Sequence, residues 1–374
     1  MSQTSLYCIL LYLGLFISQR WESSLFSFSL WKGWECSKEN LLSPFLHIGI
    51  SYIMIQIGSE LSFQKEKRRE YIADYGIAVL TATIPWLLCT LYFALLFPIS
   101  SLEALVLSRF ASPTSSGLLL PMLCSMSLKE SWFYQKARIH TIFDDLDSAL
   151  FMIPIHIFWI GFHFALLIPL LGVGFFLFLA YRYFHQLNLS AKSSAILCYS
   201  FLIWLGVYVL ETLFDIPVET LLPAFCLGCM IKRPRKEEEF QGQTPGYDKW
   251  IKSLFMFAVG LSLPALHFDE LPLGRTLLDV SMLTLCMNLG KCVPLLFYQK
   301  QATLRERLAL SIATFPRGEI GAGILAISIS SRGNSLVSQV AILTLACNFL
   351  LTGLFIFWVK HLVHNPKTTL TSAH

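Results

Sequence analysis

Hydrophobic residues in this chain form a series of long runs that are separated by short polar segments. An α-helix rises 1.5 Å per residue, so about 20 apolar residues cross the ~30 Å hydrocarbon layer of a bilayer. The pattern predicts an all-α polytopic membrane protein with about twelve transmembrane helices. The predicted spans cover residues 5–18, 43–61, 73–97, 101–127, 139–160, 162–185, 193–212, 215–231, 249–266, 275–298, 306–330 and 335–360.

Composition supports a membrane protein and excludes the soluble globular class. The 374 residues are 55% hydrophobic and 14% charged, and the mean hydropathy is +0.60. Soluble domains carry about 25% charged residues. No basic residue precedes Arg20, so a cleavable signal peptide with a charged leading region is not expected, and the first run is expected to remain a span.

Lysine and arginine residues are distributed unevenly between the two predicted sides of the membrane. With the N-terminus inside, twenty of the 28 basic residues fall on the inner side and three lie within or at the ends of spans. Cytoplasmic loops hold the excess of basic residues, so we expect a multi-pass protein of the cell inner membrane with both termini in the cytoplasm. The net charge of +4 reflects this topology and does not indicate nucleic-acid binding.

The two halves of the chain share a weak internal similarity. At an offset of 203 residues, Leu102 to Ser116 aligns without a gap with Arg305 to Glu319, and five of the fifteen positions are identical. At nearly the same offset Asp145 aligns with Asn348. The fourth span is predicted to run inward and the eleventh outward, so the similarity predicts an inverted repeat.

Each aligned segment contains helix-breaking residues in the middle of a span. The fourth span is interrupted by Ala111-Ser112-Pro113-Thr114-Ser115-Ser116-Gly117, and the eleventh by Phe315-Pro316-Arg317-Gly318-Glu319. Proline removes a backbone donor, and the freed carbonyls and hydroxyls can line a polar cavity. A simple proline kink is the alternative for either segment alone. Two breaks at symmetric positions, beside an acidic helix, favour two broken helices that cross at a substrate site.

Three acidic residues, Asp144, Asp145 and Asp147, occur within one turn of the fifth predicted span. Each ionised carboxylate at bilayer depth costs about 3 kcal/mol on insertion scales. The sequence therefore predicts a polar cavity in which a cation or a proton neutralises these acids. At about 100° per residue, Asp144 and Asp147 share a face and Asp145 points elsewhere, so Asp147 is expected either to support the site or to face a different cavity.

Lys291 lies within the tenth predicted span. A buried ammonium group needs a carboxylate partner, and Asp144 or Asp145 is the natural one in the bundle interior. The alternative is that the lysine side chain extends to the inner membrane surface.

Taken together, these elements resemble the monovalent cation:proton antiporters, and especially the bacterial sodium/proton branch whose fifth helix carries an Asp-Asp pair. The resemblance extends from about residue 43 to 358. The elements that carry it are Gly58-Ser59-Glu60-Leu61, Ser112-Pro113-Thr114, Asp144-Asp145, Phe257-Ala258-Val259-Gly260-Leu261, Lys291 and Pro316-Arg317-Gly318-Glu319. Ser59 replaces the leucine that is usual in the family, and Asp147 is an additional acid.

The resemblance implies an ion site and a mechanism. Asp145 is expected to be the main carrier of the ion and the proton, and Asp144 to form a salt bridge with Lys291. Thr114 is expected beside them in the helix crossing, and Na⁺ is expected to bind transiently to Asp145 and Asp144. The expected supporting residues are Ser112, Pro113, Pro316, Arg317, Glu319, Asn348 and Asp147. No cofactor is expected.

The resemblance also implies a division of the chain and an assembly in the lipid bilayer. A core domain is expected to move against a scaffold in an elevator-like way, and the protein is expected to form a homodimer. The expected regions are N-terminal scaffold and dimer helices (1–72), core helices of the first repeat (73–160), a linker with further scaffold and dimer helices (161–274), core helices of the second repeat (275–360) and a cytoplasmic tail (361–374).

The expected function is electrogenic exchange of Na⁺ for H⁺, and three alternatives remain at this stage. K⁺ or Li⁺ could replace Na⁺, although the lack of a nucleotide-binding domain after the last span disfavours ligand-gated potassium efflux. A sodium-coupled symporter of the same fold would need an organic-substrate pocket. An intramembrane aspartyl protease would need two carboxylates facing one water from different helices, whereas Asp144 and Asp145 diverge on one helix, so an enzyme is not expected.

Overall fold

The computed structural model describes residues 3–20, 38–61, 68–115, 119, 131–151, 155, 167–214, 220–232, 246–263, 273–332 and 335–363. Nearly all of this part of the chain is helical, which confirms the predicted all-α class. The helices are α1 (Gln3–Arg20), α2 (Lys38–Glu60), α3 (Arg68–Leu96), α4 (Ser101–Leu107, continued by a 3₁₀ turn at Ser108–Ala111), α5 (Trp132–Leu150), α6 (Leu167–Arg182), α7 (Ser193–Phe214), α8 (Leu221–Met230), α9 (Gly246–Ser262), α10 (Leu273–Gly290), α11 (Val293–Phe297), α12 (Leu304–Ala313), α13 (Glu319–Arg332) and α14 (Ser335–Val363).

Each predicted span corresponds to at least one of these helices, with differences at the boundaries. The tenth span is divided into α10 and α11 by a turn at Lys291 and Cys292. The fifth begins at Trp132 rather than at residue 139, because the Ser131 side chain caps the helix there. Most of the second half of the fourth span, and residues 152–154 and 156–160 of the fifth, lie outside the described residues.

Five helical segments in the described part of the chain are both long and apolar enough to cross a membrane alone. They are Leu42–Ser59, Arg69–Leu96, Ser193–Thr212, Leu273–Phe297 and Leu336–Val363. The other apolar helices are shorter, and those around the two predicted breaks are short because the chain is interrupted there.

Two helix starts support an internal repeat. Ser100 and Glu103 form a reciprocal capping box at the start of α4, and Thr303 and Glu306 form the same arrangement at the start of α12, 203 residues later. A capping box satisfies two free backbone N–H groups and fixes where the helix begins. The alignment of the two halves therefore coincides with equivalent local structure, and the opposite orientation of the halves stays a prediction.

Helices α1 and α9, and helices α2 and α8, pack in pairs through glycine residues. A Cβ atom added to Gly14 would lie 2.4 Å from a carbonyl oxygen of α9, and one added to Gly260 would lie 2.2 Å from a carbonyl oxygen of α1. In the second pair, a Cβ at Gly58 or Gly228 would lie 2.3 Å from the opposing backbone oxygen. Such close approach is typical of helix pairs within membranes.

The helix ends that were predicted to share a membrane side lie together. At one end of the bundle Lys136 and Tyr298 both contact Asp74, and at the other end Tyr92 and Arg275 both contact Asp279. The third and fifth spans are predicted to begin on the membrane side where the tenth ends, and these contacts agree with that prediction. Which end faces the cytoplasm stays a prediction.

Candidate ion site

The two interrupted segments cross each other through backbone contacts. Ser115 N–H donates to the carbonyl oxygen of Pro316 at 2.9 Å, and the Arg317 guanidinium donates to the carbonyl oxygen of Pro113 at 3.3 Å. Both acceptors are carbonyl groups of the prolines themselves, which lie in non-helical backbone and are therefore free to bind outside a helix. The breaks therefore hold each other in place in the interior of the bundle.

Gly318 allows this crossing to be tight. A Cβ atom at this position would lie 2.3 Å from the Ser115 hydroxyl oxygen and 2.9 Å from the Ser115 Cα, which is closer than real atoms approach. The Ser115 hydroxyl in turn donates to Glu319 Oε2 at 3.3 Å. Glu319, which was named from sequence as a supporting residue, thus lies directly at the crossing.

Asp144 and Lys291 form an ion pair beside the crossing. Lys291 Nζ donates to Asp144 Oδ2 at 2.5 Å and to the Ser112 carbonyl oxygen at 2.6 Å. Thr114 Oγ1 donates to the same carboxylate oxygen at 2.6 Å. Both charged side chains have no exposed surface, so their charges are compensated within the protein rather than by water.

Lys291 differs from its predicted position in one respect. It lies in the turn that ends α10, where Gly290 allows the chain to approach Pro85 of α3. The alternative in which its side chain reaches the membrane surface is wrong, because the lysine is fully buried. Of the two carboxylate partners considered, the structure places Asp144 against it.

The other two acids of α5 are also buried. Asp145 has no exposed surface, and Asp147 is 2% exposed and lies beside Tyr75 of α3. Asp144 Oδ1 has no hydrogen-bond partner among the described residues. One carboxylate oxygen next to the ion pair is therefore available for a ligand.

Arg317 and Asn348 bind the backbone of the second break. The Arg317 guanidinium donates to carbonyl oxygens of Pro113, Thr314 and Met287, each at 3.3 Å. Its backbone N–H donates to Asn348 Oδ1 at 2.9 Å. The buried positive charge of Arg317 thus sits among backbone carbonyl groups of the first break, of the end of α12 and of α10, and it binds irregular backbone that no water reaches.

Comparison with known proteins decides the family. The sequence profile of the family described as "Sodium/hydrogen exchanger, transmembrane" matches residues 8–361. The chain belongs to this exchanger family. It is a multi-pass membrane transporter that carries out cation:proton antiport, and the family's substrates are sodium and protons. Because the members of this family are transporters, the intramembrane protease alternative is not supported.

A solved structure of an antiporter has a similar fold. The sodium proton antiporter MjNhaP1 from Methanocaldococcus jannaschii, solved at pH 8, superposes with a TM-score of 0.60. The two sequences are 14% identical, and the match covers 95% of this exchanger and 91% of that protein. No curated protein sequence matches this chain.

Sequence reasoning missed a second group of buried polar residues near the exchanger's ion pair. Arg109 donates to the carbonyl oxygen of Ser148 at 2.9 Å and so links the 3₁₀ turn that precedes the first break to α5. His140, Lys136 and Asp74 form part of a further cluster, described below. The available signal was the spacing of Lys136, His140 and Asp144, because residues four apart share one face of a helix.

Proposed function

We propose that this exchanger transports Na⁺ in exchange for H⁺, with Asp145 and Asp144 as the groups that bind both. The observation that carries the proposal is the fully buried Asp144–Lys291 pair at the crossing of two broken helices, next to the buried carboxyl group of Asp145. Intramembrane ionisable groups of this kind mark ion pathways and proton relays in transporters. Broken helices at mid-depth mark the substrate site in transporters built from inverted repeats.

Competition for the carboxylates couples the two ions. Burial favours the protonated form of an aspartate and a neighbouring ammonium group favours the ionised form, so the two effects oppose each other at Asp144. A carboxyl group has to be deprotonated to bind a metal cation such as Na⁺. Na⁺ and protons therefore exclude each other from the same carboxyl groups, and each can move only when the other has left.

The hydroxyl of Thr114 and the carbonyl oxygens of the breaks complete the oxygen-rich surroundings. Thr114 already contacts Asp144 Oδ2, and the second oxygen of that carboxylate is open among the described residues. Na⁺ in this position would displace Lys291 from Asp144. The ammonium group would then remain bound to the Ser112 carbonyl, which it contacts at 2.6 Å.

Electrogenic exchange follows if both aspartates release protons when one Na⁺ binds. Each unbalanced elementary charge is worth about 2.3 kcal/mol per 100 mV of membrane potential. The exchange rate of the wild type in proteoliposomes should then change when the potential is clamped. A rate that is independent of the clamped potential would contradict electrogenic exchange.

The proposed movement is an elevator-like displacement of a core against a scaffold. The glycine-packed pairs α1–α9 and α2–α8 fit the proposed scaffold, and the helices around the ion pair fit the core divided as 73–160 and 275–360. We further propose a homodimer in the inner membrane, with both termini in the cytoplasm and the two core halves related as inverted repeats.

The test is uptake of ²²Na⁺ into proteoliposomes after a pH jump. Uptake should occur in the wild type and be abolished in Asp145→Asn and Lys291→Ala. Asp248→Asn is the matched control, since Asp248 is a buried acid of α9 that accepts hydrogen bonds from Tyr52 and Ser193. Replacing ²²Na⁺ with ⁸⁶Rb⁺, as a substitute for K⁺, distinguishes the potassium alternative. Equal uptake by wild type and Asp145→Asn would contradict the proposal.

A further inference from the structure

A second buried polar cluster lies one helical turn from the ion pair. His140 Nε2 lies 2.9 Å from the Tyr298 hydroxyl oxygen, which lies 2.8 Å from Asp74 Oδ1. Lys136 Nζ donates to both oxygens of Asp74, at 2.8 and 2.7 Å. We call His140, Tyr298, Asp74 and Lys136 the inner cluster, because all four lie toward the predicted cytoplasmic ends of their helices.

The hydrogen bonds of the inner cluster fix the tautomer of His140. Asp74 is ion-paired with Lys136 and can only accept, so the Tyr298 hydroxyl donates to it. The Tyr298 oxygen must then accept from His140, which places the imidazole proton on Nε2. The other nitrogen, Nδ1, therefore carries a lone pair.

That lone pair is in an unusual environment. His140 has no exposed surface, and Nδ1 has no hydrogen-bond partner among the described residues. A buried polar atom of this kind needs an explanation. Since His140 and Asp144 are four residues apart on α5, their Cβ atoms are about 6 Å apart on one face of the helix.

The far end of the inner cluster lies closest to the protein surface. The side chains of Lys136 and Asp74 retain 9% and 4% exposure, whereas those of Lys291 and Asp144 retain none. Protonatable groups thus extend from the ion site toward the predicted cytoplasmic side. The charged and titratable groups that flank His140 are Tyr298, Asp74, Lys136, Asp144 and Lys291.

We propose that His140 is a proton-transfer residue that moves protons between the carboxyl groups of the ion site and the inner side of the membrane. This role deepens the proposed antiport and rests on it. A proton from the site binds Nδ1 as its bond to a carboxyl oxygen breaks. The Nε2 proton moves to the Tyr298 oxygen while the Tyr298 proton moves to Asp74. Asp74 then releases that proton to water. The Tyr298 hydroxyl and the His140 ring then rotate back to their starting hydrogen positions before the next proton passes in this direction, and the reverse sequence serves uptake.

The opposite end of the bundle provides a natural comparison. Tyr92 donates to Asp279 Oδ1 at 2.7 Å, and Arg275 lies 3.9 Å from the other oxygen of that carboxylate. We call Tyr92, Asp279 and Arg275 the outer pair of contacts, and they repeat the tyrosine–aspartate–cation arrangement of the inner cluster. No histidine contact to Tyr92 is found in the described part of the chain, so the outer pair of contacts lacks the base that would connect it to the ion site.

The test separates proton transfer from sodium movement in proteoliposomes. Two rates are measured for His140→Gln, Tyr298→Phe and Tyr92→Phe: Na⁺/H⁺ exchange after a pH jump, and ²²Na⁺/Na⁺ exchange at equal pH on both sides. Sodium self-exchange requires the site and its movement but no net proton transfer. Tyr92→Phe is the matched control, because it removes the equivalent hydroxyl at the opposite end.

We expect Na⁺/H⁺ exchange to fall by about tenfold or more in His140→Gln and Tyr298→Phe, since positioned acid–base groups commonly contribute 10²–10⁴-fold. Sodium self-exchange should stay within about twofold of the wild type in all three variants. Parallel loss of both activities in His140→Gln would overturn the relay and indicate a structural role. Unchanged Na⁺/H⁺ exchange in His140→Gln would overturn it as well. Absence of Na⁺/H⁺ exchange in the wild type would instead overturn the proposed function.

Discussion

The glycine-packed helix pairs and the polar crossing hold helices together in opposite ways. In the pairs α1–α9 and α2–α8, backbone meets backbone at glycines, and an added methyl group has no room. At the crossing, irregular backbone is held by buried charges, with Lys291, Asp144 and Arg317 fully enclosed. Packing of small residues depends on fixed shape, whereas buried charges can exchange partners. The first arrangement suits a rigid support and the second suits a site whose occupant changes.

The largest effect is expected from removing a buried charge at the polar crossing. Lys291→Ala leaves the Asp144 carboxylate buried without its counter-charge, and such a change typically costs about 3–5 kcal/mol. We expect a clear drop in the thermal unfolding temperature of the detergent-solubilised protein.

The double variant Asp144→Asn, Lys291→Ala should recover much of that stability, because it removes both charges together. Transport should remain absent in the double variant. Equal unfolding temperatures for Lys291→Ala and the wild type would contradict a compensated buried pair.

A glycine substitution tests the glycine-packed helix pairs. Gly228→Ala places a Cβ atom 2.3 Å from the Ile55 carbonyl oxygen and should destabilise the protein by about 1–3 kcal/mol through overpacking. Gly206→Ala is the matched control, since nothing lies within 4 Å of its added atom. The apparent affinity for Na⁺ should be the same in both variants. A large change in Na⁺ affinity in Gly228→Ala alone would show that the glycine-packed pair and the ion site are not separate in function.

Gly318 combines both features, because it is a glycine in close contact with opposing backbone and it lies at the polar crossing. Gly318→Ala forces the two breaks apart at Ser115, and a misplacement of about 1 Å at a site can cost about 10²-fold in rate. We expect a large fall in ²²Na⁺ uptake per folded molecule and only a small fall in the unfolding temperature. Loss of stability with normal uptake per folded molecule would contradict a positioning role for the crossing.

The smallest effect is expected for a charge pair at the surface. The Arg275 side chain is 64% exposed and lies 3.9 Å from Asp279. Because exposed ion pairs contribute little, Arg275→Gln should change the free energy of unfolding by no more than about 0.5 kcal/mol. The unfolding temperatures of Arg275→Gln and Lys291→Ala, compared with each other, measure how much burial increases the contribution of an ion pair to the stability of this protein.

The cost of burying a charge made part of the site predictable from sequence. Asp144 and Lys291 stand out because a membrane span cannot hold either one without compensation. The two breaks stand out through Pro113 and Pro316. The residues alone left Asp144 and Asp145 open as partners of Lys291, since the choice depends on how α5 is rotated against α10, and only the family resemblance pointed to Asp144.

Contacts between distant parts of the chain account for what sequence reasoning missed. His140 and Tyr298 are 158 residues apart, and Tyr298 and Asp74 are 224 apart, so only the packed bundle brings them together. A single histidine in an apolar span gives no separate signal. The turn at Lys291 was likewise hidden, because the apolar run continues through it to Phe297.

Sodium-induced proton release from the purified protein tests the central claim most directly. In weakly buffered detergent solution at constant pH, added NaCl should release protons from the wild type, because Na⁺ displaces them from the site that Asp145 and Asp144 form. Asp145→Asn should release few or none, and choline chloride should release none from either. Proton release from Asp145→Asn equal to that of the wild type would contradict the assignment of these carboxyl groups as the shared site of Na⁺ and H⁺.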